Sequence, residues 1–361
     1  MNLNEFEQII QQIKSNFSIL NNIPEDYLQP KEIRNNLTGA FYSALKPTHK
    51  RNCIFAGCSE PAIDSHSIQN ALLKKIANSK KKVLHFGFDI SHLELKKAIK
   101  EIPVTEASTF LGFCNKHDTD IFLPIEQSER SLLVTDSEQM FLLTYRAICR
   151  EYVKSKEAEN SIKKFIAKID KPENLNDYAQ LFAIINAYNS YCEFFWIEKI
   201  KKMSDVLYQN NVYDNFFQYG YAKIDKEIPL YAESFFAVQG ATEDIIYKKD
   251  IKKEMPLYCA ITLIPKDGCT EVFYSVAKEQ EHELKAFLKR FNTTGRDLEC
   301  FITDVILRNC DNFYMSEDFW NSIPDNDKKR FMNHYYKTIT DREYDVDNTL
   351  NLFTFIYVSR K

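Results

Sequence analysis

Hydrophobic and polar positions follow a helical period over several long parts of the chain. Between residues 3 and 20, apolar side chains recur at intervals of about three, four and seven, as on one face of an amphipathic helix. The same period begins at Ser137 and again near Asn174, where the second run continues to Met203. Pro172 separates these two runs. We therefore predict two long helices that form an antiparallel hairpin.

The pattern changes to one typical of strands after about Pro229. Runs of apolar, β-branched and aromatic residues predict strands, and two of them flank the turn sequence Pro265-Lys266-Asp267-Gly268. These predicted strands cover residues 234–238, 257–264, 271–276 and 350–358. Three shorter helices are predicted at residues 68–77, 91–102 and 279–291.

Together, these elements predict an α+β protein. Its length of 361 residues favours two or three domains rather than one. We divide the chain into four segments according to the change in pattern. They are an N-terminal helix and proline-broken lead-in (1–49), a cysteine- and histidine-containing module (50–126), a helical region (127–228) and an α+β C-terminal domain (229–361).

The module at 50–126 contains two close pairs of residues that suit a metal ion. Cys53 and Cys58 form the first pair, and Cys114 and His117 form the second. Zinc prefers four nitrogen or sulfur ligands in a tetrahedron, and four protein ligands leave no position open for catalysis. We predict that these residues bind a structural Zn²⁺, which would contribute ~10 kcal/mol or more to folding of the module. The alternative is that the thiols are small buried apolar side chains.

Three residues beside these pairs suit hydrolytic chemistry. His66, in the sequence Asp64-Ser65-His66, could act as the general base that takes a proton from an attacking water, or it could be a core histidine. Asp118 directly follows the last proposed zinc ligand and, with help from Asp64, could hold a catalytic Mg²⁺ or Mn²⁺. Aspartate is also favoured in the first turn of a helix. Both interpretations of Asp118 therefore stay open, and for Asp120 we favour helix capping.

The order of these motifs resembles the HNH nucleases, the zinc-stapled branch of the ββα-metal (His-Me finger) fold. In that family, a first cysteine pair precedes a β-hairpin bearing the catalytic histidine, and a second pair opens a helix with a metal-binding residue after its last ligand. The sequences at 53–58, 64–66 and 113–118 follow that order. The resemblance covers residues 50–126. It implies a ββα module that hydrolyses phosphodiester bonds of DNA or RNA, with His66 as base and Asp118 as metal ligand.

The chain departs from the family pattern at several positions. Ser65 stands where an acidic residue or a second histidine usually precedes the base. His117 replaces a cysteine ligand, Asp118 replaces a histidine or asparagine, and residues 108–110 offer no match for the family's middle asparagine. These departures support a second hypothesis, a non-catalytic zinc-stabilised module that binds nucleic acid or a partner protein.

Two short sequences carry a further resemblance. Residues 65–69 and 107–114 resemble parts of uncharacterised bacterial proteins, some of them from phage-defence systems. The resemblance implies a function in antiviral defence. In that setting, we expect the C-terminal domain (229–361) to contact a protein partner or trigger.

Composition and charge restrict where a nucleic acid could bind. The chain has 47 basic and 51 acidic residues and a net charge of −4, so such binding must depend on a local basic surface. Lysines between His66 and Cys114 could follow phosphates, or they could simply form solvated faces of helices. These residues are Lys74, Lys75, Lys80, Lys81, Lys82, Lys96, Lys97 and Lys100.

Other classes of protein are disfavoured. No apolar run reaches the ~18–20 residues of a membrane span, and the N-terminus lacks the pattern of a signal peptide. We therefore expect a cytoplasmic protein that has no membrane partner, in which clustered cysteines bind metal more often than they form disulfides. The chain contains only 8 glycines and no phosphate-cradling glycine motif, which argues against nucleotide-dependent chemistry.

Overall fold

The computed structural model is a mixed α+β protein, in agreement with the predicted class. It describes residues 51–91, 94–127, 132–168, 178–238, 240–242, 245–247, 254–340 and 348–355. The chain forms two compact units, one of residues 1–48, 88–96 and 154–195 and one of residues 49–87, 97–153 and 196–361. All candidate site residues belong to the second unit. The helix predicted over 3–20 lies outside the described residues.

The strands of the described residues form one large sheet and two small ones. The large sheet has seven strands in the order β3-β2-β11-β6-β9-β10-β5, and the small sheets are β1-β4 and β7-β8. Strands β11, β6, β9, β10 and β5 pair antiparallel with one another in that order. The bounds are β1 Asp64–His66, β2 Lys82–Ser91, β3 Glu94–Pro103, β4 Thr109–Leu111, β5 Phe217–Ile224, β6 Leu230–Ala237, β7 Gly240–Thr242, β8 Ile245–Tyr247, β9 Tyr258–Lys266, β10 Cys269–Ala277 and β11 Phe313–Met315.

The helices include the two long ones that the apolar period predicts. Their bounds are α1 Asn70–Ile76, α2 Asn115–Glu126, α3 Ser137–Lys168, α4 Tyr178–Gln209, α5 Lys285–Phe291, α6 Gly295–Asn309, α7 Glu317–Ser322 and α8 Asp325–Thr340. The helix predicted from Ser137 begins at that residue. Two 3₁₀ turns, Lys278–Gln280 and Leu352–Thr354, complete the described elements.

Two predictions of secondary structure are wrong. Residues 91–102, predicted as a helix, lie mostly in strand β3 next to β2, because pairing within the sheet satisfies their backbone better than a short helix, which is marginal on its own. The strand predicted over 350–358 is a 3₁₀ turn in its described part. There the Asn351 side chain accepts a hydrogen bond from Phe353 N at 2.8 Å, which favours a turn over a strand.

The large sheet draws strands from several of the predicted segments. Strands β2 and β3 come from residues between β1 and β4, and β11 pairs with β2 at Met315 and Leu84. Strand β5 lies within the segment 127–228 that was predicted to be helical. The insertion between His66 and Cys114 therefore contributes two strands to the large sheet and does not form a separate module.

One hydrophobic core joins the candidate site to the long helices. Phe113 and Phe122 are buried below 3% exposure and pack edge to face, with 5.3 Å between their ring centroids. Tyr145 of α3 and Ile197 of α4 belong to the same buried cluster. Because these side chains share one core, the short strands and α2 pack on the parts of α3 and α4 that belong to the second unit.

Candidate functional site

Two short strands and a helix frame the candidate site. Strand β1 pairs antiparallel with β4, with Ser65 opposite Phe110 and His66 opposite Thr109. Helix α2 begins at Asn115, a few residues after β4 ends. The order of these elements is the strand–strand–helix order that the resemblance implies, although 42 residues (67–108) separate the strands in sequence.

The first cysteine pair lies on a tight turn beside the end of β4. Cys53 N donates to Glu60 O at 2.8 Å, and Cys58 N donates to Phe55 O at 3.1 Å. Gly57 has φ +81°, a left-handed conformation that glycine adopts without steric cost. A further bond from Ile54 N to Gly112 O, 2.8 Å long, attaches this turn to the segment that leads into α2. The backbone alone thus brings the two ligand pairs together.

The four predicted ligands converge on one point. Nδ1 of His117 lies 3.5 Å from Sγ of Cys53 and 3.3 Å from Sγ of Cys114, and the Sγ atoms of Cys58 and Cys114 are 3.9 Å apart. All four ligand atoms lie within 4.8 Å of one another. Tetrahedral bonds of about 2.0–2.3 Å place neighbouring ligand atoms roughly 3.5–3.8 Å apart. The cluster can therefore hold one metal ion with little rearrangement.

The thiols and the imidazole of this cluster sit in different local environments. Burial raises the pKa of the Cys53 thiol to about 11. Burial acts in the same direction on Cys114, but hydrogen bonds that include the backbone N–H groups of His117 and Lys116 lower its pKa overall, as expected for a thiol at a helix N-terminus. Phe55 stacks on the His117 ring with 4.2 Å between centroids, which orients the imidazole.

His66 lies at the end of β1 and is partly buried. Its Nε2 atom is 3.3 Å from the backbone oxygen of Val104 and 3.2 Å from Nδ2 of Asn70, which also donates to Val104 O at 2.8 Å. Among the described residues, Nδ1 of His66 has no hydrogen-bond partner. If Nε2 carries the proton and donates it to Val104 O, Nδ1 is the nitrogen that can accept a proton.

Asp118 lies in the first turn of α2, on the side of Ser65. The Ser65 hydroxyl accepts a hydrogen bond from Phe113 N at 3.2 Å and lies near the Asp118 carboxylate. Burial raises the pKa of Asp118, whereas Ser65, Arg146 and the nearby His66 act to lower it.

The other two acidic candidates are exposed. Asp64 is exposed on β1, where side chains alternate between faces, so it projects away from the side on which Ser65 contacts Asp118. Asp120 is exposed on α2, and Asp118 is the acidic residue of the first turn. Cys114 occupies the N-cap position of α2 and makes no side-chain capping bond.

Sequence reasoning missed a partly buried ion pair near Asp118. Arg146 of α3 is 5% exposed, and its Nη1 lies 2.9 Å from Oε1 of Glu126 at the end of α2. Burial raises the pKa of Glu126, and the Arg146 charge opposes that rise. No local signal joins these residues, because 20 positions of chain separate them. Ser65 and Asn70, by contrast, could have been found from strand alternation and from their spacing to His66.

A second buried polar network begins directly after His66. Asn312 Nδ2 donates to Ser67 Oγ at 2.9 Å and to Oε2 of Glu233 in β6 at 3.0 Å. Ser67 and Ser108 share a hydroxyl hydrogen bond of 2.7 Å. Within the part of the chain that the structure describes, Oε1 of Glu233 and Oδ1 of Asn312 lack hydrogen-bond partners. The network connects the end of β1 to the large sheet.

Comparison of the chain with protein-family models, with curated proteins and with solved structures finds no match. The described helices include none that combines the length and the apolar character needed to cross a bilayer. Function must therefore be argued from the geometry of the site itself.

Proposed function

We propose that the chain is a metal-dependent nuclease whose β1, β4 and α2 elements form an HNH-like active site. One observation carries the proposal: a Cys₃His cluster gathers the start of α2, with Asp118 in its first turn, and Ile63 N bonds to Phe113 O at 2.8 Å, which brings strand β1 with His66 alongside. Zinc suits that cluster because its donors are three thiols and one imidazole that lie within 4.8 Å of one another. With four protein ligands, this ion would be structural.

His66 is the proposed general base. With the proton on Nε2, Val104 O accepts it, which orients the ring and leaves Nδ1 to take a proton from the attacking water. Asn70 Nδ2 is itself a donor and acts by holding Val104 O. Asn70 is four residues from His66 and enters α1 at its first position, so it positions the imidazole from a fixed element.

Asp118 is the proposed ligand of a catalytic Mg²⁺ or Mn²⁺. Magnesium is usually held by one or two carboxylates together with substrate phosphates and waters, and a half-buried carboxylate at a helix start fits that donor set. When bound, such an ion neutralises phosphate charge. Asp64 lies two residues from His66 and so shares its face of β1, opposite to Ser65. Because it is exposed and points away from Asp118, it would contribute only through intervening water or substrate.

Nicking of supercoiled plasmid DNA, with a labelled single-stranded RNA as a second substrate, tests the proposal. Wild type should cleave at least one of them with added Mg²⁺ or Mn²⁺. His66→Ala and Asp118→Asn should reduce the rate by about 10² or more, the typical contribution of a general base. His282→Ala, at an exposed histidine in the segment before α5, is the matched control and should cleave like wild type.

The second candidate is a non-catalytic, zinc-stabilised module that binds nucleic acid or a protein. Ser65 favours it, since this position next to Asp118 supplies a hydroxyl and not a second carboxylate or imidazole for a cation. Zinc present in the purified protein, with no cleavage of DNA or RNA under any of these metals, would support this candidate and reject the nuclease.

The biological setting that we propose is antiviral defence in the bacterial cytoplasm, with a protein partner or trigger on residues 229–361. It is supported by the sequence resemblance of residues 65–69 and 107–114. Plaque assays in bacteria that express wild type or His66→Ala test it. Protection against phage by wild type alone is the expected result, and equal plaque numbers for wild type and an empty vector would contradict it.

A further inference from the structure

An exposed cluster of lysines lies on the insertion that follows His66. Residues 70–82 contain five lysines and no acidic residue, in a chain whose net charge is −4. Four of these side chains are exposed in the structure, and we call them the lysine surface. They are Lys74 and Lys75 at the end of α1 and Lys80 and Lys81 in the turn before β2.

The ammonium groups of the lysine surface make no ion pair among the residues that the structure describes. Lys82 pairs with Glu101 at 3.4 Å, but none of the four members has an ion-pair or hydrogen-bond partner for its ammonium group among the residues that the structure describes. Unpaired ammonium groups of one sign concentrate positive potential and attract polyanions.

The turn that presents Lys80 and Lys81 is held rigidly by Asn78. Its Oδ1 accepts from the backbone N of both Lys80 and Lys82 at 3.0 Å, and its backbone oxygen accepts from Lys81 N at 2.9 Å. Asn78 Nδ2 also donates to Oε2 of Glu317 at 2.7 Å. Such a turn displays its two exposed side chains in a fixed direction.

Lys81 adopts a strained backbone conformation in this turn. Its φ of +58° lies in the left-handed region, which is sterically unfavourable for a residue other than glycine. Strain of this kind concentrates at functional positions, where the surrounding hydrogen bonds maintain it.

Val104 places the lysine surface next to the proposed base. Val104 N donates to Lys81 O at 3.0 Å, and Val104 O is the atom that contacts His66 Nε2 at 3.3 Å. The N and O atoms of a single residue therefore connect the lysine turn with the imidazole. Helix α1, which carries Lys74 and Lys75, begins with Asn70, the other partner of His66.

We infer that the lysine surface binds the phosphodiester backbone of a nucleic-acid strand and leads it to His66. This inference rests on the proposed function for the identity of the substrate, but binding can be measured without cleavage. Lysine ammonium groups contact phosphates without reading bases, so the surface supplies affinity and direction and no sequence preference.

Binding should be measured by fluorescence anisotropy on a labelled DNA duplex and on a labelled single-stranded RNA. The protein should carry His66→Ala, so that no strand is cut, and salt should be varied between about 50 and 200 mM. The double variant Lys80→Glu/Lys81→Glu should bind the preferred strand at least about tenfold more weakly. It should also lower the slope of log affinity against log salt by about two. Comparison of the affinities for the DNA duplex and for the single-stranded RNA shows which nucleic acid the protein prefers.

The matched control is Lys285→Glu/Lys289→Glu, with the same change of charge. These lysines are exposed on α5, which packs on β10 because Phe291 of α5 stacks on Tyr274. Strand β10 is the fourth strand from β2 in the large sheet, so the two lysine pairs are separated by roughly 20 Å across the sheet. An equal loss of affinity in both double variants, or no loss in either, would overturn the inference. Lys80→Gln/Lys81→Gln, checked for folding by circular dichroism, separates lost contacts from added repulsion and should also bind more weakly.

The two proposals fail in different ways. Strong, lysine-dependent binding without cleavage by wild type would retain the lysine surface and reject the nuclease. Cleavage by wild type together with unchanged binding and cleavage in Lys80→Glu/Lys81→Glu would retain the nuclease and reject the lysine surface.

Discussion

Lys201 of α4 donates a hydrogen bond of 3.2 Å to the backbone oxygen of Ile54, next to the first proposed metal ligand. The same ammonium group lies 2.5 Å from Oδ1 of Asp205, which also accepts a hydrogen bond from Tyr145 OH at 2.5 Å. Lys201 is 2% exposed. Helix α4 thus holds the cysteine turn in place through a buried charge, independently of any metal.

Removing this charge should destabilise the protein strongly. Lys201→Met should lower the free energy of unfolding by about 3–5 kcal/mol, because it leaves the Asp205 carboxylate buried without its cation. The neighbouring Lys202, whose side chain is 71% exposed and pairs with Glu198 on the helix surface, is a matched control. Lys202→Met should change stability by less than about 1 kcal/mol. Urea unfolding that gives equal midpoints for the two variants would contradict the role of Lys201.

Purified protein should contain one zinc ion per chain. Cys58→Ser should remove most of it and lower the melting temperature, because structural zinc contributes on the order of 10 kcal/mol to folding of small modules. Cys269→Ser, at a partly exposed thiol in β10, should keep both the zinc and the melting temperature near those of wild type. Elemental analysis and thermal denaturation measure these effects. Wild type without stoichiometric zinc would rule out the structural site.

Glu233 should make stability depend on pH. Burial raises its pKa above the ordinary value of 4.5, even though Arg150 and Arg146 act to lower it. A carboxyl with a raised pKa contributes its stability below about pH 4.5 and loses it as pH rises through the folded-state pKa. The stability of wild type relative to Glu233→Gln should therefore fall as pH rises from about 4.5.

Urea unfolding of wild type and Glu233→Gln across this range tests the sign. Both proteins keep the same proposed metal ligands, so the difference between them isolates Glu233. A difference that is constant with pH, or that grows in favour of wild type as pH rises, would show that Glu233 keeps an ordinary or lowered pKa.

Gly220 should not tolerate a side chain. It lies opposite Tyr274 in the β5–β10 pair, where a Cβ atom would overlap the tyrosine ring. The ring cannot move aside freely, since it stacks on Phe291 with 3.9 Å between centroids. Gly220→Ala should cost about 1–3 kcal/mol through overpacking. The same change in a Tyr274→Ala background should cost clearly less, and equal costs in the two backgrounds would exclude this mechanism.

Local pattern predicted part of the fold and part of the candidate site. The start of α3 at Ser137 and the hairpin around Asp267 and Gly268 depend on side-chain period and turn chemistry within a few residues, so they could be read directly. Residues 91–102 could not, because a short amphipathic run fits either a helix or an edge strand until β2 provides a partner.

For the candidate site, too, some residues could be predicted from the sequence and others could not. The spacing of Cys53, Cys58, Cys114 and His117 in sequence was sufficient to select the four residues that meet, since thiol and imidazole donors in two tight pairs suit one metal ion. Arg146 near Asp118, and the Arg146–Glu126 ion pair across 20 positions of chain, emerged only from the structure.

Residue types and their local pattern set the chemistry that is available: which residues can bind metal, accept a proton or carry charge, and which of the long stretches are helical. Tertiary structure alone decided which of those groups face one another. Ser65, and not Asp64, contacts Asp118 because strand pairing sets the face of β1, and the lysine turn lies beside His66 because Val104 bonds to both. Contacts between residues far apart in sequence depend on packing of the whole core, which no short pattern encodes.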